Sequence, residues 1–304
     1  MEFMLGGLSS CSAVLFTFPF DVLKTRQQLE HELATKGSAK HSSYSSVRQS
    51  IVTVIKTDGF RGLYKGLPAG ILYQFSMNSA RLGTYHIVEN LGWTRSENAL
   101  LTPILAVFWG GVAGLIGATA SCPVFVAKTQ LQAFSKGKYT AKFQHQHAGV
   151  IAALRNMYRE AGVKGLYRGY TAHLTRVSLG SSVQMTSFAM AKDFFVQYEI
   201  FQKSVALHAL AASSVAGVFM CLLMSPVDVV TTRMTNQGVS ASGKGLLYKN
   251  IFDCFVKIYR SEGIHGMYKG MAPLYMRVVP HTVLNLTFWE FFKKLHDRYS
   301  NYRV

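Results

Sequence analysis

One ten-residue stretch that returns twice constrains this chain more than any bulk property. Pro19-Phe20-Asp21-Val22-Leu23-Lys24-Thr25-Arg26-Gln27-Gln28 reappears as Pro123-Val124-Phe125-Val126-Ala127-Lys128-Thr129-Gln130-Leu131-Gln132. It returns again as Pro226-Val227-Asp228-Val229-Val230-Thr231-Thr232-Arg233. The prolines stand 104 and 103 residues apart. That period is too long for a solenoid of small repeats and suits three copies of one helical unit. A second motif keeps step with the first: Tyr64-Lys65-Gly66, Tyr167-Arg168-Gly169 and Tyr268-Lys269-Gly270, each glycine 44 to 47 residues beyond its proline. Two motifs in phase three times divide the chain into repeats at 1–98, 99–201 and 202–304, read as one integral body.

Composition decides what surrounds that body. Of 304 residues, 49% are hydrophobic and only 15% are charged, which is sparse for a soluble protein. Residues 98–127 carry no charge at all, enough to cross a bilayer as a helix. Small residues recur on the odd helices: Gly6, Gly7, Ser10 and Ala13, then Gly110, Gly111, Gly114 and Gly117, then Ser213, Ser214 and Gly217 before the larger Met220. Such stripes let membrane helices approach closely. The net charge of +17 raises a nucleic-acid reading, but the cations lie in loops between apolar segments, with no basic stripe interleaved with stacking aromatics. No nucleic-acid partner is expected. Cys11, Cys122, Cys221 and Cys254 have no metal-ligand spacing and read as small apolar residues. Neither a metal site nor a nucleophile–base set stands out, so no enzyme is expected. Met1-Glu2-Phe3-Met4 leads straight into apolar sequence, and no cleavable leader is expected.

Hydrophobic periodicity predicts six long helices near 3–28, 66–90, 100–132, 169–198, 204–235 and 270–296. A short amphipathic helix precedes each Tyr-Lys/Arg-Gly motif. The apolar faces expected are Val47, Ile51, Val54 and Ile55; Val150, Ile151, Leu154, Met157 and Tyr158; and Ile251, Phe252, Phe255 and Tyr259. The long connections 29–65, 133–168 and 236–269 hold six, seven and five Lys/Arg, whereas 91–99 and 199–203 hold only Arg95 and Lys203. The positive-inside asymmetry puts the three long loops on one side and both termini on the other.

The triplicated Pro-x-Asp/Glu-x-x-Lys/Arg with its phased Tyr-Lys/Arg-Gly resembles the signature of the mitochondrial carrier family, solute carrier family 25, over essentially the whole chain. The even helices look like its keto-acid and dicarboxylate branch, through Arg81-Leu82-Gly83-Thr84-Tyr85, Arg176 with Gln184, and Arg277-Val278-Val279-Pro280-His281-Thr282. Glu2-Phe3 and Gly245-Leu246-Leu247-Tyr248 resemble the member 34/35 group, allied to fungal oxaloacetate carriers. The resemblance implies an all-α membrane protein of six transmembrane helices in three pseudo-threefold repeats. It also implies a monomeric alternating-access transporter of the mitochondrial inner membrane, with a central site between two salt-bridge gates. A peroxisomal membrane is the alternative home.

At the kink end the acidic slots are Asp21, Phe125 and Asp228, and the basic slots are Lys24, Lys128 and Thr231. Pairing each acid with the base of the next repeat gives Asp21–Lys128, Asp228–Lys24 and a neutral Phe125–Thr231. The reverse direction strands Asp21 and Lys24, and an unpaired buried charge costs several kcal/mol, so the forward ring is expected. In the family's pattern Gln28 and Gln132 stand where a glutamine braces this network; Thr235 is the shorter third. The opposite gate falls on His86 and Glu89, Ala189 and Lys192, and Glu290 and Lys293, with one good link, from Lys192 to Glu290 or Glu89.

Arg176 and Arg277 lie seven residues beyond their motif glycines and Arg81 fifteen, roughly 12 Å further along. A charge inside a membrane helix must face water, a partner or a ligand. With the other carboxylates assigned to loops and helix ends, the sequence reading expects none beside these arginines and makes the missing negative charge a small substrate anion. Tyr73, Gln184 and Asn285 are expected to line the same site, and His281 is a candidate proton carrier. Gly66, Gly169 and Gly270 open helices whose free N–H groups attract anions, with Lys65, Arg168 and Lys269 beside them. These read as headgroup sites for an anionic lipid, plausibly cardiolipin, and no other cofactor is expected. A proton-leak or fatty-anion carrier, and a non-transporting receptor on the same scaffold, are the alternative functions.

Overall fold

The computed structural model describes residues 2–30, 32, 44, 46–93, 101–135, 143–196, 205–240 and 245–301. Its long helices are α1 (Glu2–Leu29), α3 (Leu67–Asn90), α4 (Leu101–Ala133), α6 (Tyr170–Val196), α7 (Val205–Asn236) and α9 (Met271–Asn301). Between them lie α2 (Val47–Asp58), α5 (Val150–Leu166) and α8 (Ile251–Met267). The all-α architecture is that expected from the repeats. α9 runs five residues past its anticipated end, through Asp297-Arg298-Tyr299-Ser300-Asn301, where no Pro or Gly stops it.

The long helices close into a ring, α1–α3–α4–α6–α7–α9 and back to α1, and the odd helices also touch one another. The most extensive packing joins α1 to α9, α3 to α4 and α6 to α7, so the repeats adhere across their boundaries more than within them. Pro19, Pro123 and Pro226 lie inside α1, α4 and α7. Each removes a ladder hydrogen bond and lets its helix bend, which brings the three odd helices together below the prolines.

Within the small-residue stripes, close approach among the described residues falls at two glycines. A Cβ on Gly117 would stand 2.8 Å from the Met77 carbonyl oxygen of α3, and one on Gly217 would stand 2.6 Å from Val279 of α9. Gly111 and Gly114 would meet nothing within 4 Å. The stripe therefore acts at its inner end and not along its length.

The short helices keep part of their expected faces, with Val47, Ile51, Leu154 and Ile251 packed inward. Val54, Met157 and Ile258 are buried against the long helices, with Ala153 and Cys254, whereas Ile55, Ile151, Tyr158, Phe252, Phe255 and Tyr259 are exposed. These helices carry an inner apolar face and a second, outward one, as helices at a membrane interface do. After α2 the chain makes a 3-10 turn, Phe60–Tyr64. α5 and α8 instead bend at Gly162 and Gly263, and all three breaks turn on a glycine at positive φ: Gly59 (72°), Gly162 (61°) and Gly263 (70°).

By length and apolar composition, two segments of the described residues pass as membrane spans, Phe108–Ala133 and Leu210–Asn236. Charges dilute the other long helices, and in α1, α6 and α9 several of them meet inside the bundle.

Gly117→Val is expected to wedge α3 from α4 and destabilise the protein by about 1–3 kcal/mol. Gly114→Val should leave stability nearly unchanged. Thermal unfolding of the purified protein in detergent compares the two.

Candidate functional site

Below the kinks the odd helices are tied by ion pairs of the forward ring. Lys128 Nζ lies 2.5 Å from Asp21 Oδ2, and Lys24 Nζ lies 2.7 Å from Asp228 Oδ2. All four side chains are close to fully buried. Both pairs start from α1, one reaching α4 and the other α7; in this ring no ion pair joins α4 to α7 among the described residues. At that third position Phe125 stacks on His173 of α6, ring centroids 4.1 Å apart, with Tyr73 of α3 against both. Thr231 instead donates its hydroxyl to the carbonyls of Ala172 and Val227. Gln132 Nε2 donates to Asp21 Oδ2 over 3.3 Å. Gln28 accepts from Thr232 at 2.7 Å, and its Nε2 has no hydrogen-bond partner.

The second oxygen of each ring carboxylate is also engaged. Arg176 Nε bonds Asp228 Oδ1, and Arg277 Nε lies 3.1 Å from Asp21 Oδ1. The expectation that no carboxylate stands near these arginines is therefore corrected. The reason is height: Asp21 stands eight residues before the end of α1 and Arg277 seven after Gly270, on helices that run in opposite directions. Asp228, eight residues before the end of α7, matches Arg176, seven after Gly169, in the same way.

Charge balance is not reached. Two carboxylates serve Lys24, Lys128, Arg176 and Arg277, so four positive charges against two negative leave a surplus of two. The arginine side chains remain 22% and 28% exposed, unlike the lysines beneath them. A cavity lined by Asp21, Tyr73, Gln74, Lys128 and Arg277 opens beside the cluster. Lys128 lies over the Tyr73 ring and Arg176 over the Phe125 ring.

The remaining expected site residues divide. Arg81 is exposed and bonds only Asn78 Oδ1 of its own helix, at 3.4 Å, so this structure does not bring it to the other two arginines. Asn285 is turned to α1, its Oδ1 accepting from Ser9 and Ser10 at 3.0 and 3.1 Å. Gln184 is exposed. His281 is half-buried on α9, one turn beyond Arg277. At the other end, Glu89, Glu290 and Lys293 are exposed and form no ion pair among the described residues, while Lys293 covers the Trp289 ring. His86 shares a hydrogen bond with Asn90. The Lys192 and Ala189 side chains lie outside the described residues.

Gly66, Gly169 and Gly270 all take positive φ (81°, 70° and 80°) immediately before α3, α6 and α9. The basic residues before them turn inward. Lys65 Nζ bonds the Phe134 carbonyl, Arg168 the Gln237 carbonyl and Lys269 the Glu30 carbonyl, at 3.1, 2.9 and 2.9 Å. Each caps the C-terminal end of the next repeat's odd helix, where a cation is favoured by the helix dipole. Their side chains are thus committed to the fold and not turned to an outer headgroup.

A further ring escaped the sequence reading. Arg26 pairs with Asp58 at 2.7 Å and donates to the Gln132 and Phe134 carbonyls. Arg233 holds Glu262 through both oxygens, at 2.5 and 2.8 Å, and donates to the Gln28 carbonyl. Burial pushes the Glu262 carboxyl up, but Arg233 and Lys269 outweigh it and hold the group below the usual range. The signal was the charge seven residues past two of the prolines. It pairs with the acid just before the positive-φ glycine.

A family model described as mitochondrial carrier protein matches residues 1–95, 100–199 and 202–300. The chain belongs to the mitochondrial carrier family. It is a transporter and not an enzyme. Solute carrier family 25 member 35 of Mus musculus is 39% identical to it, over 99% of this chain and 100% of the relative. The mitochondrial oxaloacetate transport protein of Saccharomyces cerevisiae is 37% identical, covering 97% of this carrier and 89% of its own length. The mitochondrial citrate transporter E of Aspergillus niger is 35% identical, over 98% and 95%.

Removing Asp228 should harm this carrier more than removing Lys24, because it leaves Lys24 and Arg176 both without a counter-charge. Asp228→Ala is expected to cost about 3 kcal/mol or more. Adding Lys24→Ala to it should recover part of that loss. Additive penalties in a thermal-unfolding double-mutant cycle would contradict the pairing.

Proposed function

We propose that this carrier moves a small dianionic metabolite, a dicarboxylate or keto acid of the oxaloacetate class, by alternating access. The observation behind this reading is the surplus of two positive charges where four cations share Asp21 and Asp228. A dianion neutralises that surplus. Arginine suits it, since the planar guanidinium offers two parallel donors to a carboxylate. The partial exposure of both arginines, with a cavity beside Arg277, supports entry from the end away from the kinks. The relatives named for oxaloacetate and citrate favour the same substrate class.

In this reading the paired end is the closed gate and the end carrying Glu89, Glu290 and Lys293 is open. A dianion taking Arg176 and Arg277 frees one oxygen on each ring carboxylate. Asp21 and Asp228 then hold only their lysines, and the ring is loosened from within. Binding and gating thus act on the same two carboxylates, which is the differential affinity that a two-state transporter needs. The closed end faces the mitochondrial matrix, where the cation-rich loops belong, and both termini face the intermembrane space. The carrier works as a monomer, since each ring closes within one chain. Anionic phospholipid, cardiolipin included, sits at the helix starts after Gly66, Gly169 and Gly270 through backbone N–H groups.

Uptake of labelled oxaloacetate, malate, citrate and sulfate into proteoliposomes tests the reading. Arg277→Ala and Arg176→Ala are each expected to lower dianion uptake by 10-fold or more, about 1.4 kcal/mol or above in transition-state terms. Arg81→Ala should have the smaller effect. Wild-type uptake by the Arg277 and Arg176 variants, correctly inserted, would end this reading.

A further inference from the structure

The slot four residues past each motif glycine holds Gly70, His173 and Leu274. In the first and third repeats it is apolar. Gly70 lets the Phe18 ring approach so closely that an added Cβ would stand 2.6 Å from it, and Leu274 is buried. The second repeat puts a polar ring there. His173 is 0% exposed, and neither of its ring nitrogens has a hydrogen-bond partner among the described residues.

The groups around that ring explain why. Phe125 of α4 stacks on it at 4.1 Å, with planes 22° apart, and Tyr73 of α3 meets it edge-on at 6.0 Å. Arg176, one turn further along α6, lies over the Phe125 ring, and Lys128 lies over Tyr73. Neither cation can accept a hydrogen bond. The Ala172 carbonyl, just before the ring, is taken by the Thr231 hydroxyl. Stacking rewards the faces of the imidazole but leaves its N–H and its lone pair, which lie in the ring plane, unmet. A buried polar group without a partner costs more than a made hydrogen bond returns. An apolar side chain would therefore fill this slot at a lower cost than histidine does.

The location is the third position of the gate ring, where no ion pair joins α4 to α7 among the described residues. There α6 bridges the two odd helices. Towards α7 it is held by Arg176 on Asp228 and by the Thr231–Ala172 bond. Towards α4, at this level, it is held by the stacked rings. Opening the kink end parts groups that are sealed there and lets water reach both nitrogens, which removes the penalty.

We propose that His173 is a positioning residue for gating: its unmet nitrogens raise the free energy of the state closed at the kink end, and opening relieves them. The two buried ion pairs hold that end shut, and the imidazole keeps the hold weak enough to release. The proposal rests on reading the kink end as a closed gate, and it adds a residue that acts without touching substrate.

His173→Phe keeps the stack and removes both nitrogens, and His173→Leu installs the residue of the third repeat. At least one of them is expected to unfold about 2–4 °C above wild type in detergent. In proteoliposomes that variant should show a maximal uptake rate about 3- to 10-fold lower, with a half-saturating concentration no higher than wild type. The probe is whichever of labelled oxaloacetate, malate, citrate and sulfate the wild type takes up fastest. A histidine that only filled the core would give the opposite sign, since its replacement lowers the unfolding temperature. One that touched substrate would raise the half-saturating concentration. Failure of both variants to unfold above wild type overturns the proposal, as does a stabilised variant with an undiminished maximal rate. Uptake of none of the four anions by wild type would instead count against the dianion reading, and the unfolding comparison would still decide the role of His173.

Discussion

Two carboxylates hold the kink end of this carrier together, and each does so twice over. One oxygen of Asp21 takes Lys128 of the next repeat, and the other takes Arg277 of α9. Asp228 divides itself between Lys24 and Arg176 in the same manner. A buried acid with two cations is well compensated, whereas the cations, taken together, are not. Breaking such a pair by removing one partner is far more costly than its net contribution suggests, because the remaining charge stays buried. The kink end is therefore held by strong local attractions inside a cluster with an excess of positive charge.

The threefold scaffold carries its departures in matched sets. Phe125 lacks the acid of its slot and Thr231 lacks the base, and in a forward ring these two would have faced each other. Gln130 lacks the arginine of the outer ring and Ala161 lacks the acid, again as partners. Losing one member alone would strand a buried charge, while losing both leaves a neutral contact. What replaces each pair is different in kind. The inner position is filled by stacked rings, Tyr73, Phe125 and His173. The outer one is filled by the Gln130–His147–Asn156 hydrogen bonds.

Much of this was legible in the chain. The phase of two motifs fixes three repeats, and the proline and glycine spacings place the helix ends to within a few residues. The direction of the ring followed from charge alone, since only one pairing leaves no acid or base stranded. The arginines were harder. Their depth could be counted from the motif glycines, but the acids were counted from their prolines, on helices running the other way. Counting both from the same end of the bundle puts Asp21 beside Arg277 and Asp228 beside Arg176. The short helices were legible in part: Val47, Ile51, Leu154 and Ile251 pack inward as expected, but in α8 Cys254 and Ile258 turn inward and the larger Phe255 and Tyr259 beside them face out. Periodicity finds an apolar face and does not say which apolar medium it meets.

The asymmetry also bears on how such a ring comes apart. Both ionic links of the inner ring begin on α1, at Asp21 and Lys24, three residues apart on one turn. Moving α1 away from its neighbours therefore breaks both. Moving α4 from α7 breaks neither, but Arg176 of α6 still ties the second repeat to Asp228 of α7. The ionic links are thus unequal around the threefold axis: two start on α1, and the one between the second and third repeats runs through the even helix α6 instead. That same boundary carries the Arg168–Gln237 bond and lacks the buried arginine–acid pair of the other two. A scaffold built by triplication would open evenly if its repeats were alike. Here the charges missing at Phe125 and Thr231 leave the scaffold with direct odd-helix links at two boundaries and only an even-to-odd link, Arg176–Asp228, at the third.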